Sequence, residues 1–231
     1  MIAPKDQYFF TQIGLDSSAL TMLGTVVHSF AEPGEYRGTV HAGDGPEATF
    51  YVSVDKDCAV AQVNIDLAAL VDPEPGGADS DCGCSKPRQP RFVVHPKGYA
   101  VFHVSRGQGG YWVNIRPNDE NPDVTAYDTR TLAPGDIFAA TIQRPGLYEL
   151  KNVLTDARAE VRVAYPAVGK TAYRPPPAMH LDVGETIDQA YAELAPLQGL
   201  ALHATCPAHI TVELVEPDDG PGSGGTSSAA A

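Results

Sequence analysis

The sequence predicts an all-β protein, built from β-sandwich units in tandem with short helical segments only. Runs in which β-branched or aromatic residues alternate with polar ones recur along the chain, as in "ATFYVSVD" and "AEVRVAY". The 20 prolines and 22 glycines lie largely between these runs, where they favour turns. Only "VNIDLAALVD" and "VGETIDQAYAELAPL" have passable helical periodicity, and both are short.

A loosely repeated unit supports this fold class. Three segments, which begin at Gly24, Gly135 and Gly184, share a variable stretch, a glycine-containing turn, a strand, a polar tip and a last strand. In the first two segments the turn reads "PGEY" and "PGLY". Proline presets φ, glycine takes a positive φ and tyrosine then begins a strand. The unit resembles the closing hairpin of immunoglobulin-like and cupredoxin-like domains, and this resemblance implies a Greek-key sandwich without implying an activity.

Composition predicts the domain boundaries. The stretch "DPEPGGADSDCGCSKPRQP" has almost no apolar residues and is typical of a flexible linker. The expected order is a first β-sandwich unit over 1–71, the linker over 72–90, a second sandwich unit over 91–166, a third hairpin-containing unit over 167–216, and a disordered tail over 217–231. The third unit could also complete the second.

The charge balance limits the partners. With 16 basic and 29 acidic residues the net charge is −13, so the chain would repel a nucleic-acid backbone. No apolar run is long enough for a membrane helix, and no signal peptide is visible. We therefore expect a soluble, acidic protein that binds neither nucleic acid nor membrane. Its expected location is cytoplasmic, with export by another route left open.

Two groups of residues are candidates for a metal site. Cys206 and His209 flank the tip "CPAH", and cupredoxins hold copper with a cysteine and a histidine of such a hairpin and a further histidine, for which His203, His180, His103 and His95 are candidates here. Copper or zinc would then be the cofactor. The alternative is that the tip is only a turn. Cys82 and Cys84 in "DCGC" form the second candidate, because two thiols separated by glycine can bind a soft ion together or act in redox chemistry.

Aromatic and basic residues around one long polar loop predict a binding surface. Tyr111, Trp112, Arg116 and Tyr127 are of the types enriched in interface hot spots. The alternative for Trp112, the sole tryptophan, is burial in the core.

The favoured function is non-catalytic: a binding or assembly protein that presents loops or sheet edges to a protein partner or to copies of itself. "HITVELV" is the expected edge strand, because it lacks the proline and lysine that protect sheet edges. One alternative is a copper- or zinc-binding cupredoxin-like protein that uses Cys206 and His209. A second is an enzyme whose catalytic groups meet only in three dimensions.

Overall fold

The computed structural model describes residues 13–73, 89–107, 109–118, 127–164 and 173–218, and within them the all-β prediction is confirmed. The one helix described, α1, spans Leu67–Val71, where the Asp66 carboxylate caps its first turn. The strands are β1 (Gly14–Asp16), β2 (Gly24–Ser29), β3 (Gly34–Ala42), β4 (Glu47–Val54), β5 (Gln62–Asp66), β6 (Arg91–Val94), β7 (Tyr99–His103), β8 (Tyr111–Pro117), β9 (Tyr127–Asp128), β10 (Ile137–Thr141), β11 (Gly146–Asn152), β12 (Ala157–Val163), β13 (Met179–Val183), β14 (Tyr191–Leu194), β15 (Gly199–Ala204) and β16 (Ile210–Pro217).

These strands form three mixed sheets. Sheet A has the order β1-β16-β11-β12-β14, sheet B the order β6-β4-β3-β8-β9, and sheet C the order β13-β15-β10-β2-β7-β5. The six strands of sheet C contribute one fully buried row, made of Leu181, Leu202, Phe138, Val26, Phe102 and Ile65. Neighbouring positions on these strands are only partly buried or exposed. Sheets A and B therefore both pack on the same face of sheet C.

The same pairing pattern occurs twice along the chain. Strands β3, β4, β6 and β8 have the partners and directions in sheet B that β11, β12, β14 and β16 have in sheet A. In sheet C, β5, β7 and β2 correspond in the same way to β13, β15 and β10. The antiparallel pair β2·β10 joins the two halves at the middle of sheet C, with Val26 opposite Phe138.

The first strand of each half completes a sheet of the other half. Strand β1 pairs with β16 in sheet A, and β9 pairs with β8 in sheet B. Both exchanged strands end in the same local structure. The Ser17 Oγ accepts the Ile210 N–H at 2.9 Å, and the Thr129 Oγ1 accepts the Val113 N–H at 2.9 Å. In each case, the hydroxyl of the residue that follows an aspartate therefore holds the exchanged strand to the sheet of the other half.

The strand pairing relates the three predicted repeat segments differently from the sequence. The segments from Gly24 and Gly135 do correspond, and their turn glycines have positive φ values, 155° at Gly34 and 151° at Gly146. The third segment contains β14, β15 and β16, which correspond to β6, β7 and β8 and not to the first two segments. The sheets cross the proposed unit boundaries, which themselves stay predictions. Most of the proposed linker and tail lies outside the described residues.

Two local expectations were wrong. "HITVELV" is not an edge strand, because β16 lies between β1 and β11 and is paired on both sides over Thr211–Glu213. "VGETIDQAYAELAPL" is not helical and instead contains turns followed by β14. The residues of β14 alternate in burial, with Ala192 and Leu194 buried and Tyr191 and Glu193 exposed.

Within the described ranges, no helix combines the length and the apolar character needed to cross a membrane.

Candidate functional site

The hairpin tip with Cys206 and His209 is engaged in structural contacts. The His209 Nε2 lies 2.8 Å from the Asp16 Oδ1 of β1, and its backbone N–H donates to the Asn152 Oδ1 at 3.2 Å. Ala208, expected at the centre of the turn, is buried and forms an antiparallel bridge with Leu132. The Cys206 Sγ contacts the neighbouring Pro207 carbonyl at 3.5 Å. The imidazole of His209 thus fastens the exchanged strand β1.

The other metal candidates do not join this tip. The His203 Nδ1 lies 3.1 Å from the Asp182 Oδ1, on the partly exposed face of sheet C. No group of three or more histidine, cysteine, aspartate or glutamate side chains within the described ranges could hold a metal ion together. Cys82 and Cys84 lie outside the described residues, so the expectation of copper or zinc stays a prediction.

The predicted aromatic surface is mostly internal. Tyr111 and Tyr127 are buried. Trp112 is half-buried, and its indole lies between the His41 ring at 3.7 Å and the Arg130 guanidinium at 3.8 Å. Arg130 is held there by Asp128, and this hydrogen bond raises the pKa of Arg130. Both indole faces are therefore covered, which prevents Trp112 from stacking on a sugar ring.

The structure contains a buried polar cluster that the sequence did not predict. The His28 Nδ1 lies 2.7 Å from the Asp136 Oδ1, and the His28 ring stacks on Tyr127 with centroids 3.7 Å apart. The second Asp136 oxygen accepts the Ala133 N–H at 2.7 Å. The Tyr127 hydroxyl makes no well-formed hydrogen bond to a described residue. Burial and then the negative charge of Asp136 raise the pKa of Tyr127 well above its ordinary value.

Arg116 belongs to a row of residues that crosses the outer face of sheet B. The register places Arg91 beside Tyr51, Tyr51 beside Arg37, and Arg37 beside Arg116. Their chain neighbours Phe50, Val52 and Ile115 are buried, so the row itself faces away from sheet C. We call these four residues the arginine row.

The arginine row is only partly neutralised by its own sheet. Arg91 contacts Glu35 and lies over the Tyr51 ring at 5.3 Å, and the Arg116 Nε donates to the Asn114 Oδ1 at 3.0 Å. Arg37 has no ion-pair partner among the described side chains. Like charges directly opposite one another destabilise a β-sheet. The direct opposition of Arg37 and Arg116 therefore does not by itself stabilise sheet B.

No protein family, curated protein or solved structure matches the chain.

The sequence carried a usable signal for the arginine row, because all three arginines lie at outward positions of alternating strands. What it did not carry was the set of strand partners. In the sequence, Arg116 lies close to Tyr111, Trp112 and Tyr127, and this proximity predicted one shared surface. The sheet instead groups it with Arg37, Tyr51 and Arg91, which lie far away in sequence.

Proposed function

We propose that this protein is a non-catalytic binding protein that recognises an acidic protein surface through the arginine row of sheet B. The observation that carries the proposal is the exposed, directly opposed pair Arg37–Arg116, in which Arg37 lacks a carboxylate partner in the described part of the chain. Guanidinium groups bind carboxylates through two parallel hydrogen bonds, so an acidic partner would relieve the repulsion within the row.

The composition and shape of the row support a protein partner. Arginine and tyrosine are enriched in interface hot spots, and Tyr51 and Arg91 already form one packed cation–π pair. The row crosses four strands of a sheet whose backbone is fixed by hydrogen bonding, so little ordering would be needed on binding. A long polyanion is disfavoured, because the whole chain carries a net charge of −13 and would repel the rest of a nucleic acid.

Binding of a fluorescein-labelled oligoglutamate peptide, followed by anisotropy at low ionic strength and at protein concentrations too low for self-association, tests the proposal. The Arg37→Ser/Arg116→Ser double variant should bind about tenfold more weakly, since two charge contacts are lost. Lys56→Ser/Arg174→Ser is the matched control, because it removes two exposed positive charges elsewhere and should bind like the natural protein.

Two probes complete the design. An oligolysine peptide should bind the natural protein and the Arg37→Ser/Arg116→Ser variant equally well, because it does not use the arginine row, and a single-stranded oligothymidylate should bind more weakly than the glutamate peptide. Equal peptide affinity of the natural protein and the Arg37→Ser/Arg116→Ser variant would contradict the proposal. Preferential binding of the oligothymidylate would contradict it as well.

A further inference from the structure

The row of sheet A that corresponds to the arginine row has the opposite charge. Following the same strand order, it consists of Tyr191 on β14, Glu160 on β12, Glu149 on β11 and Glu213 on β16, which we call the glutamate row. The buried neighbours Val161, Leu150 and Val212 place this row on the outer face of sheet A. The two halves of the chain thus present complementary charges at corresponding positions.

The glutamate row also opposes like charges without full local compensation. Glu149 lies directly between Glu160 and Glu213 in the register. Arg158 contacts the Glu149 carboxylate at 2.9 Å, whereas Glu160 and Glu213 have no ion-pair partner in the described ranges. Each sheet therefore places like charges opposite one another in one row, and the two rows have opposite sign.

Apolar surface accompanies the glutamate row. A shallow depression of about 410 Å³ in the outer face of sheet A is lined by Leu147, Val215, Glu160 and the paired Glu149 and Arg158, among others. Val215 is 64% exposed although it belongs to a central strand. An arginine side chain placed there could pack its methylene groups on Leu147 and Val215 while its guanidinium meets a carboxylate.

We propose that a second copy of this chain docks its arginine row on the glutamate row. The inference rests on the proposed function and names its acidic partner. Sheets A and B cover the same face of sheet C, so both outer faces point away from it on one side of the molecule. When a two-fold axis between the two molecules relates the second copy to the first, sheet A of each copy faces sheet B of the other. Both contacts are then complementary, and the assembly closes as a two-fold dimer.

Sedimentation of the full chain with charge-reversed variants tests this dimer. The natural protein should sediment as a dimer, twice the 24.5 kDa chain, at low ionic strength, and should dissociate as salt screens the contacts. Arg37→Glu/Arg116→Glu makes both rows acidic, and Glu160→Arg/Glu213→Arg makes sheet A basic like sheet B. Each variant alone should be monomeric, because its two faces repel each other.

Rescue separates a lost contact from a damaged fold. A mixture of the two variants should form dimers, and the quadruple variant that reverses both rows should dimerise by itself. Lys56→Glu/Arg174→Glu, which makes the same change in net charge as the first variant at other exposed positions, should remain dimeric. A monomeric natural protein, or a dimer that neither reversal affects, would overturn the inference.

A failure of the proposed dimer can be distinguished from a failure of the proposed binding to acidic protein surfaces. A Glu160→Gln/Glu213→Gln variant removes the negative charges without adding positive ones and keeps its arginine row intact and free of a second copy, so it should bind the oligoglutamate peptide. Peptide binding by this variant together with a monomeric natural protein would overturn the dimer and leave the arginine row as a site for another acidic protein. Loss of both would refute both proposals.

Discussion

Tyr127 is an unusual residue for the core of a β-sheet protein. It is only 4% exposed, its ring stacks on His28, and its hydroxyl lies near Asp136 without a well-formed hydrogen bond. A buried hydroxyl without a partner costs free energy, because it loses its hydrogen bonds to water on folding. The corresponding position in the other half is occupied by Leu15 at the same point of the exchanged strand. An apolar side chain at this point of the exchanged strand is therefore compatible with the fold, and the hydroxyl is not needed for it.

We expect Tyr127→Phe to retain or raise stability at neutral pH and to reduce the loss of stability in alkali. The raised pKa means that the folded protein holds the phenol proton more tightly than the unfolded chain does. The resulting stability is complete below the ordinary pKa of 10.0 and decreases as the pH rises above it. Urea unfolding at neutral and alkaline pH measures this, with exposed Tyr99→Phe as control. A steeper alkaline loss in Tyr127→Phe would contradict it.

The exchanged strands β1 and β9 depend on one hydroxyl each. Ser17 and Thr129 are fully buried, and each accepts the backbone N–H at the point where its strand joins the other half. Ser17→Ala or Thr129→Ala leaves that N–H unpaired, so each should lower the free energy of unfolding by about 1–3 kcal/mol. Urea unfolding of the single variants provides the measurement.

The two halves supply their own control for this prediction. Ser17→Thr and Thr129→Ser keep the hydroxyl and install the side chain that the other half uses at the same position. Both should cost much less than the alanine variants. Equal losses for Ser17→Ala and Ser17→Thr would show that side-chain size, and not the hydrogen bond, determines stability at the exchanged strand.

Element by element, the sequence predicted strands well and their partners poorly. Alternation along "ITVELV" predicts that Ile210, Val212 and Leu214 face the core, because a two-residue period depends only on local geometry. Ile210 and Val212 are buried as expected, whereas Leu214 is only partly buried. Neither the exchange of β1 nor the contact of His209 with Asp16 was predictable, since these residues lie at opposite ends of the chain. The "CPAH" tip looked like half a metal site because its carboxylate partner was invisible in the local sequence.

At the scale of the whole molecule, the two halves share one core. Sheet C runs through both halves across the pair β2·β10, and the buried residues of the described ranges form a single cluster. Each half also lacks its own first strand, which lies in the sheet of the other. Unfolding one half would therefore expose apolar surface and unpaired backbone groups in both, which favours one cooperative transition.

Val212→Ala tests this coupling, because the sole tryptophan reports on the opposite half. Val212 is 1% exposed on β16 in sheet A, whereas Trp112 lies on β8 in sheet B. Losing the buried side chain should cost about 1–3 kcal/mol. In urea, tryptophan fluorescence and far-ultraviolet circular dichroism should then shift to the same lower midpoint. Val215→Ala on the exposed side of the same strand should shift neither. An unchanged fluorescence midpoint beside an early dichroism phase would instead show that the halves unfold independently.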